Sequence, residues 1–343
     1  MSTETVFVTG ATGFIAQHIV KQLIEKGYKT IGSVRSNEKG ENLKSLIKQA
    51  GLDSKLFSYV VVPDIIKKES FDKVFEENPE ITVVLHTASP VDFSVKDVQK
   101  GLVDPAVIGT KNILSSAQQH KNIKHLVITS STATVQDTTG NRPSTELVTE
   151  KSWNPITHDD LKSPSDGQLG YSLSKTLAGK EVVKFFENSN PHFTITSVLP
   201  TYVFGPQAFE VKDPNQLNHS AEIVNQVLKS KPGDTLPEQV GTFIDVRDVA
   251  HAHLKAFEIA DKTNGKRLVT ANTYWTNPLI AHIINKNFPD LKIAKGSIEL
   301  SDKEIKDKGQ KFDFSATREI LGFDYVPLEK SVVDSVKQIL ATK

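Results

Sequence analysis

Short, almost continuously apolar runs recur through the first 200 residues: Val6–Val8, Thr30–Val34, Ser58–Val62, Ile81–His86, His125–Thr129 and Phe193–Leu199. Between them the apolar positions fall at helical spacing, as at Ile15, Ile19 and Leu23, or at Val103, Val107 and Leu114. Runs that do not alternate with polar residues belong to strands buried on both faces. Strand, helix and strand in repetition predict βαβ units around a parallel sheet. Such units are joined right-handedly, and ligands sit beyond the carboxyl ends of the strands. The expected fold class is α/β, a doubly wound parallel sheet with helices on both faces.

Two stretches break this rhythm. Gln136 to Gly170 is long and polar, interrupted by Trp153, and a loop of that length inside a domain is usually functional or a lid. From Gly205 onward strand signals are weak. The expected division assigns residues 1–200 and 240–270 to a cofactor-binding domain. Residues 205–240 and 271–343 form a smaller, non-contiguous substrate-binding cap. At roughly 150 residues per domain, 343 residues suit two such units.

Composition narrows the partners. Lysine and arginine number 41, as do aspartate and glutamate, so there is no net charge to draw the chain to nucleic acid or an anionic membrane. The absence of cysteine removes disulfides, thiolate chemistry and Cys-ligated zinc. His251 and His253 are two apart on a helix and point away from each other, so no metal is expected. No apolar run nears the ~18 residues of a membrane span, and the N-terminus lacks the features of a secretion signal. The expectation is a cytoplasmic protein, monomer or homodimer, acting on a small molecule.

The sharpest local signal is Val6-Phe7-Val8-Thr9-Gly10-Ala11-Thr12-Gly13-Phe14-Ile15-Ala16. A strand runs into a glycine-bearing turn and then a helix. Gly10 permits the turn, Gly13 lets a pyrophosphate approach the backbone, and Ala16 keeps the helix close to the sheet. The helix N-terminus presents free N–H groups to the phosphates. This reads as a Rossmann dinucleotide turn, with an ordinary glycine-rich strand–helix connection as the alternative. The second strand would meet the adenosine ribose. There the chain has Arg35, with Lys39 one helical turn on, rather than an acid. A guanidinium stacks on adenine and grips a 2′-phosphate, which favours NADPH over NADH. Glu38 belongs to the start of the next helix.

Tyr171 and Lys175 stand four apart and share a helical face. A carbonyl that receives hydride must be protonated, and an ammonium beside a phenol lowers the phenol's pKa. The pair is weak by itself, since chance supplies it easily. Ser131, just past the His125–Thr129 run, adds a hydroxyl able to polarise a carbonyl at the ligand-binding edge.

With T-G-x-x-G-x-x-A at Thr9–Ala16 and Y-x-x-x-K at Tyr171–Lys175, the chain resembles the extended short-chain dehydrogenase/reductases. It looks most like the fungal NADPH-dependent methylglyoxal and ketone (carbonyl) reductases, kin to plant dihydroflavonol and cinnamoyl-CoA reductases. The matching segments include Val62-Pro-Asp-Ile65, Leu85-His-Thr-Ala-Ser-Pro90, Ser152-Trp-Asn-Pro155, Tyr202-Val-Phe-Gly-Pro206, Phe243–Ala250 and Leu321-Gly-Phe323.

The resemblance implies that Tyr171 donates a proton, Lys175 tunes it and holds a ribose, and Ser131 binds the carbonyl. It implies cofactor contacts at Gly10, Thr12, Gly13, Phe14, Ile15, Arg35, Lys39, Ala88, Ser89, Tyr171, Lys175, Pro200, Val203 and Ser220. Asp64 and Ile65 would flank the adenine, with core packing the alternative for Ile65. The substrate pocket would comprise Val91, Phe93, Thr132, Gln136, Gln168 and Tyr202. Relatives often carry bulkier aromatics at Val91, Thr132 and Gln136, so a roomier pocket for bulky ketones is expected. Asp245 and Asp248 would organise loops between sheet and cap. Gly179 replaces a common glutamate on what is expected to be an outer helix face. Ala106 replaces an asparagine that many members use, and Asn112 stays unplaced.

The implied activity is NADPH-dependent reduction of an aldehyde or ketone to an alcohol. A nucleotide-sugar epimerase or dehydratase on the same fold, and a non-catalytic NADP(H) sensor, are the alternatives. Arg35→Glu is expected to weaken NADPH binding about 10- to 100-fold and NADH binding little. Dissociation constants for both nucleotides test this, and equal losses would remove the 2′-phosphate role.

Overall fold

The structure, a computed structural model, describes residues 4–89, 91–140, 145–210 and 219–342, without the side chains of His219 and Ser220. Its strands are β1 (Thr5–Thr9), β2 (Lys29–Val34), β3 (Phe57–Val61), β4 (Ile81–His86), β5 (His125–Thr129), β6 (Thr194–Pro200), β7 (Tyr202–Phe204), β8 (Val240–Asp245), β9 (Arg267–Thr270) and β10 (Thr273–Thr276). Its helices are α1 (Phe14–Glu25), α2 (Asn37–Gln49), α3 (Asp72–Glu77), α4 (Asp104–Gln119), α5 (Gly167–Ser189), α6 (His219–Lys229), α7 (Val246–Glu258), α8 (Ala260–Thr263), α9 (Asn277–Asn287), α10 (Ile298–Lys308), α11 (Ser315–Leu321) and α12 (Leu328–Ala341).

Seven strands form a parallel sheet in the order β3-β2-β1-β4-β5-β6-β9. The expected strands are all present, shifted by one residue at β3 and β6, and apart from the half-exposed edge strand β3 they are buried on both faces. Every residue of β1 is buried. Val6 and Val8 face one helical layer, with Ile19 and Leu23 of α1. Phe7 faces the other, with Phe71, Phe75 and Ile113. Each such side chain contributes about 1.5–3 kcal/mol relative to exposure. Strand order reverses between β1 and β4, the crevice where doubly wound sheets bind ligands.

A second sheet, β10-β8-β7, carries its own core of Phe204, Val224, Phe243, Trp275, Ile280 and Val332. Here the expected boundary at residue 240 moves. Residues 240–245 are the central strand of this second sheet, because Phe243 points into its core beside Phe204. Of the 240–270 stretch, α7 packs on α1 and β9 pairs with β6 in the main sheet.

Asp245 and Asp248 tie the two parts together. Asp245 is buried, caps α7 through the Arg247 N–H and binds the Arg247 guanidinium at 2.7 Å. Arg247 also reaches Asp334 of α12 at 2.6 Å. Asp248 accepts the Val326 N–H at 2.8 Å.

Three buried histidines fasten the carboxyl edge of the sheet. His18 donates through Nε2 to the Pro206 carbonyl at 2.9 Å. His253 donates from Nδ1 to the Val249 carbonyl, so its Nε2 accepts the Thr129 hydroxyl at 2.7 Å. His86 Nδ1 lies 3.0 Å from Thr9 Oγ1. His251, by contrast, stacks on Phe323. Among the described residues no group of three His, Asp or Glu side chains stands ready for a metal, and no helix there is long and apolar enough to cross a membrane.

Burial holds His18 at about 4, His86 at about 3 and His253 at about 4. The unfolded chain takes up these protons near pH 6.5, so their stabilisation is fully present above that pH and is lost as pH falls toward 4 and then 3. Asp248, pushed up to about 7 by burial, acts oppositely and gains as pH falls from 7 toward 4. Three groups outweigh one, each worth on the order of 3–5 kcal/mol. The melting temperature is expected to drop by about 10 °C between pH 7 and pH 4.5. Thermal melts across that range check it, and a flat profile would contradict it.

Candidate active site

The glycine turn is held from three sides. Gly10 adopts φ +64, and a Cβ there would meet Ala88 at 3.2 Å, so only glycine suits both conformation and space. Its N–H donates to Ser33 Oγ, and the Ala11 N–H to the Ser33 carbonyl, each at 2.9 Å. Gln17 reaches back from α1 to the Thr12 carbonyl at 2.8 Å. Thr9 Oγ1 accepts the N–H groups of Thr87 and Ala88 at 3.0 and 2.9 Å. With its lone pairs used, its proton goes to His86 Nδ1, which fixes that ring as the Nε2–H tautomer. The Thr87 hydroxyl also donates to the Thr9 carbonyl.

Helix α1 begins at Gly13 with no side-chain cap and no acid in its first turn, whereas α2 has Ser36 as cap and Glu38 behind it. The bare N–H groups of α1 fit a phosphate. Arg35 is exposed just past β2 and forms no ion pair among the described residues. Lys39 is exposed in the first turn of α2. Both cations are free to face an added phosphate.

The second half of the site comes from β5 and α5. Past β5, the Ser130 N–H donates to the Val198 carbonyl at 2.7 Å. Ser131 then caps a short 3-10 turn over 132–134, its Oγ accepting the Ala133 N–H at 3.1 Å. Asp166 caps α5 through the Leu169 N–H. A Cβ on Gly167 would stand 2.2 Å from the Phe93 carbonyl oxygen, so its absence lets that segment lie across the helix start. The Phe93 ring accordingly sits 5.4 Å from that of Tyr171.

Lys175 follows one turn later, its Nζ 5.7 Å from the Tyr171 ring centroid. The Ser131 hydroxyl stands within hydrogen-bonding reach of the Tyr171 phenol and opposes a rise in its pKa. Burial prevails nonetheless. The phenol is held above its ordinary value, with the neighbouring Tyr202 adding to the rise. This corrects the expectation of a phenol lowered by Lys175. The ammonium is itself buried and pushed down to about 8, with no carboxylate beside it among the described residues.

A cleft of about 590 Å³ joins the two halves. It brings together Gly10, Gly13, Phe14, Ile15, Ser89, Pro200 and Val203 with Ser131, Tyr171 and Lys175. All the expected pocket residues, Val91, Phe93, Thr132, Gln136, Gln168 and Tyr202, line it too. Thr12, Arg35, Lys39, Asp64, Ile65 and Ala88 lie outside its lining. Asp64 caps a turn through the Ile66 N–H, and Ile65 packs against Gly109 of α4. Asn112 donates to the carbonyls of Ile65 and Lys67. Ser220 falls in α6, its side chain outside the described residues.

Gly179 is a correction. It faces inward, where a Cβ would lie 3.4 Å from the Trp153 ring and 3.6 Å from Thr134. It also borders a small void behind Lys175 lined by His86, Thr110, Thr129 and Ser197. The long loop packs onto this part of α5, so the face is not an outer one.

Arg267 of β9 escapes sequence reasoning. Its guanidinium lies 3.7 Å over the Trp153 ring. It donates to the carbonyls of Glu150 and Ser152 at 3.1 and 2.8 Å, and to Thr134 Oγ1 at 2.9 Å. The Thr134 hydroxyl in turn donates to the Ser131 carbonyl. One cation thus pins the long loop and braces the turn bearing Ser131. The partners lie more than 100 residues away, and no local pattern marks them.

Residues 6–271 match the profile of the NAD dependent epimerase/dehydratase family. Over 342 residues the chain is 47% identical to a putative NADPH-dependent methylglyoxal reductase (GRP2) of Candida albicans, covering 99% of each. It is 40% identical to the NADPH-dependent methylglyoxal reductase GRE2 of Saccharomyces cerevisiae, covering 98% of each. The crystal structure of Gre2 in complex with NADPH from Candida albicans superposes with a TM-score of 0.91 at 43% identity, covering 99% of each chain.

Arg267→Ala is expected to cost about 2–4 kcal/mol, by losing the stack on Trp153 and several charge-assisted bonds to buried carbonyls. Urea denaturation measures it, and a change below 0.5 kcal/mol, roughly that of an ordinary surface substitution, would show the loop to be held elsewhere.

Proposed function

The chain belongs to the NAD dependent epimerase/dehydratase family, and we propose that it is an NADPH-dependent carbonyl reductase converting an aldehyde or ketone to an alcohol. One observation carries this: a single cleft holds the glycine turn, Ser131, Tyr171 and Lys175. Gly10, Thr12, Gly13, Phe14 and Ile15 would take the pyrophosphate at the uncapped start of α1. Arg35 and Lys39 would face the 2′-phosphate, and Asp64 and Ile65 the adenine edge. Ala88, Ser89, Pro200, Val203 and Ser220 would line the rest of the cofactor path. When bound, NADPH supplies the hydride. The NADPH-dependent methylglyoxal reductases among the relatives above support the cofactor and the methylglyoxal-like substrate class.

The protein's part is to place and protonate the carbonyl oxygen. Ser131 and Tyr171 line the same cleft and would both hydrogen-bond the substrate oxygen, the phenol supplying the proton. The raised phenol stays protonated at neutral pH, as a general acid must. It releases its proton only as the carbonyl oxygen gains alkoxide character, which is more basic than phenolate. The Lys175 ammonium, with no carboxylate to neutralise it, stabilises the phenolate left behind. Val91, Phe93, Thr132, Gln136, Gln168 and Tyr202 form the substrate wall. The proposal extends to a cytoplasmic monomer or homodimer, in keeping with the balanced charge. It also divides the labour between a cofactor-binding sheet and a smaller substrate-binding part.

Tyr171→Phe is expected to leave NADPH affinity nearly intact and to lower turnover by about 10²–10⁴-fold. Following NADPH oxidation with α-oxoaldehydes, diketones and aryl ketones, together with nucleotide titration, tests both halves. A variant with near-normal turnover would sink the assignment, and NAD retained tightly through purification would point to an epimerase instead.

A further inference from the structure

Arg267 is a cation placed outside the cleft. It stands half-buried at the start of β9, and neither it nor Thr134 is among the residues that line the cavity. Its hydrogen-bond partners are all neutral oxygens, the carbonyls of Glu150, Ser152 and Thr134 and the Thr134 hydroxyl. The Glu150 carboxylate is engaged elsewhere. Its Oε1 accepts the Thr317 N–H at 2.9 Å and the Thr317 hydroxyl at 2.8 Å. The Thr317 oxygen accepts the Val269 N–H at 3.0 Å, two residues along β9 from Arg267. The long loop is thus fastened to the sheet edge a second time, without Arg267. The contact at Thr134 is what Arg267 adds.

The direction of that contact is set by chemistry. A guanidinium only donates, so Thr134 Oγ1 accepts from Arg267 at 2.9 Å and its own proton passes on to the Ser131 carbonyl at 2.9 Å. The Thr134 N–H reaches the same carbonyl at 3.0 Å. Ser131 Oγ meanwhile accepts the Ala133 N–H at 3.1 Å. Both oxygens of Ser131 are therefore held by one 3-10 turn. Asn154 clips that turn from its carbonyl side, donating through Nδ2 to Ala133 and through its N–H to Thr134, each at 2.8 Å. Arg267 clips it through the Thr134 hydroxyl. Thr132 and Ala133 line the cleft, so a shift of the turn is a shift of its wall.

We propose that Arg267 is a positioning residue for the reduction, orienting Ser131 through the Thr134 hydroxyl without touching substrate or cofactor. The inference rests on the reductase reading above, in which Ser131 bonds the oxygen that Tyr171 protonates. Lysine at 267 carries the charge but lacks the rigid fork that reaches the loop carbonyls and Thr134 together. Valine at 134 keeps the shape of the side chain and cuts only the link, leaving the stack on Trp153 and the bonds to Glu150 and Ser152 in place.

The test follows NADPH oxidation with the wild type's best substrate among α-oxoaldehydes, diketones and aryl ketones, alongside nucleotide titration. Thr134→Val is expected to lower kcat about 5- to 30-fold, as a small misplacement of a reacting group does, and to change the NADPH dissociation constant less than about twofold. Thr134→Ser restores the hydroxyl and is expected to stay within about twofold of wild type. Arg267→Lys is expected to repeat the Thr134→Val pattern, and it carries the test should valine at 134 prevent folding. In a Ser131→Ala background either change is expected to cost less than about twofold more, since the link then has nothing to orient. Unchanged kcat, an equal loss in both backgrounds, a loss shared by Thr134→Ser, or a parallel loss of NADPH affinity would overturn the inference and leave the reductase reading standing. Wild-type protein that oxidises NADPH with no member of the panel overturns the reductase reading and this inference with it.

Discussion

An ammonium buried without a carboxylate at its side is the constraint around which this molecule is arranged. Lys175 has only 6% of its surface exposed. Charges in that position are costly unless paired, and the fall of its pKa to about 8 records the cost. A carboxylate would relieve it, but would also neutralise the positive field that a phenolate on Tyr171 requires. Its surroundings are instead neutral and polar. Hydroxyl groups of Thr110, Thr129, Ser130 and Ser197 line the void behind it, together with His86. His86 is kept uncharged by burial first and by the lysine second. Its tautomer is then settled by the lone-pair count at Thr9.

Tolerance of an uncompensated charge requires walls that do not yield. Thr9 supplies one by joining β1, the turn after it and the end of β4 through a single hydroxyl. His253 supplies another, holding Thr129 at the end of β5 from beneath. Arg267 supplies a third, spanning the sheet edge, the long loop and, through Thr134, the turn of Ser131. Each device fixes the end of a strand rather than its middle. Ligands meet the sheet at those ends, and a small displacement there would be felt at the reacting atoms.

Strands β1, β2 and β4 to β6 were legible because burial on both faces writes a nearly uninterrupted apolar run into the chain, and the half-exposed edge strand β3 was legible from its β-branched and aromatic residues. The glycine turn was legible because its demands are local: a left-handed φ at Gly10, small residues after it, and a helix start without a cap. Tyr171 and Lys175 were legible from helical spacing, but their electrostatics were not. Spacing says that an ammonium stands near a phenol, and only the packing around them says that burial overrides the attraction. Strand β8 was not legible, since signals after Gly205 are weak and its partners lie at 202–204 and 273–276. The inward face of Gly179 and the grip of Arg267 depend on where a distant loop comes to rest.

Contributions to the cleft divide along the same line. The turn, Ser131, Tyr171 and Lys175 come from the parallel sheet and its helices, whose positions are set by the cores on the sheet's two faces. Tyr202 belongs to the second sheet, its ring packed edge-on against Trp275. A residue changed there alters the substrate wall without moving the atoms that deliver a proton. Apolar walls at Val91, Phe93 and Leu169 set how much carbon the cleft accepts.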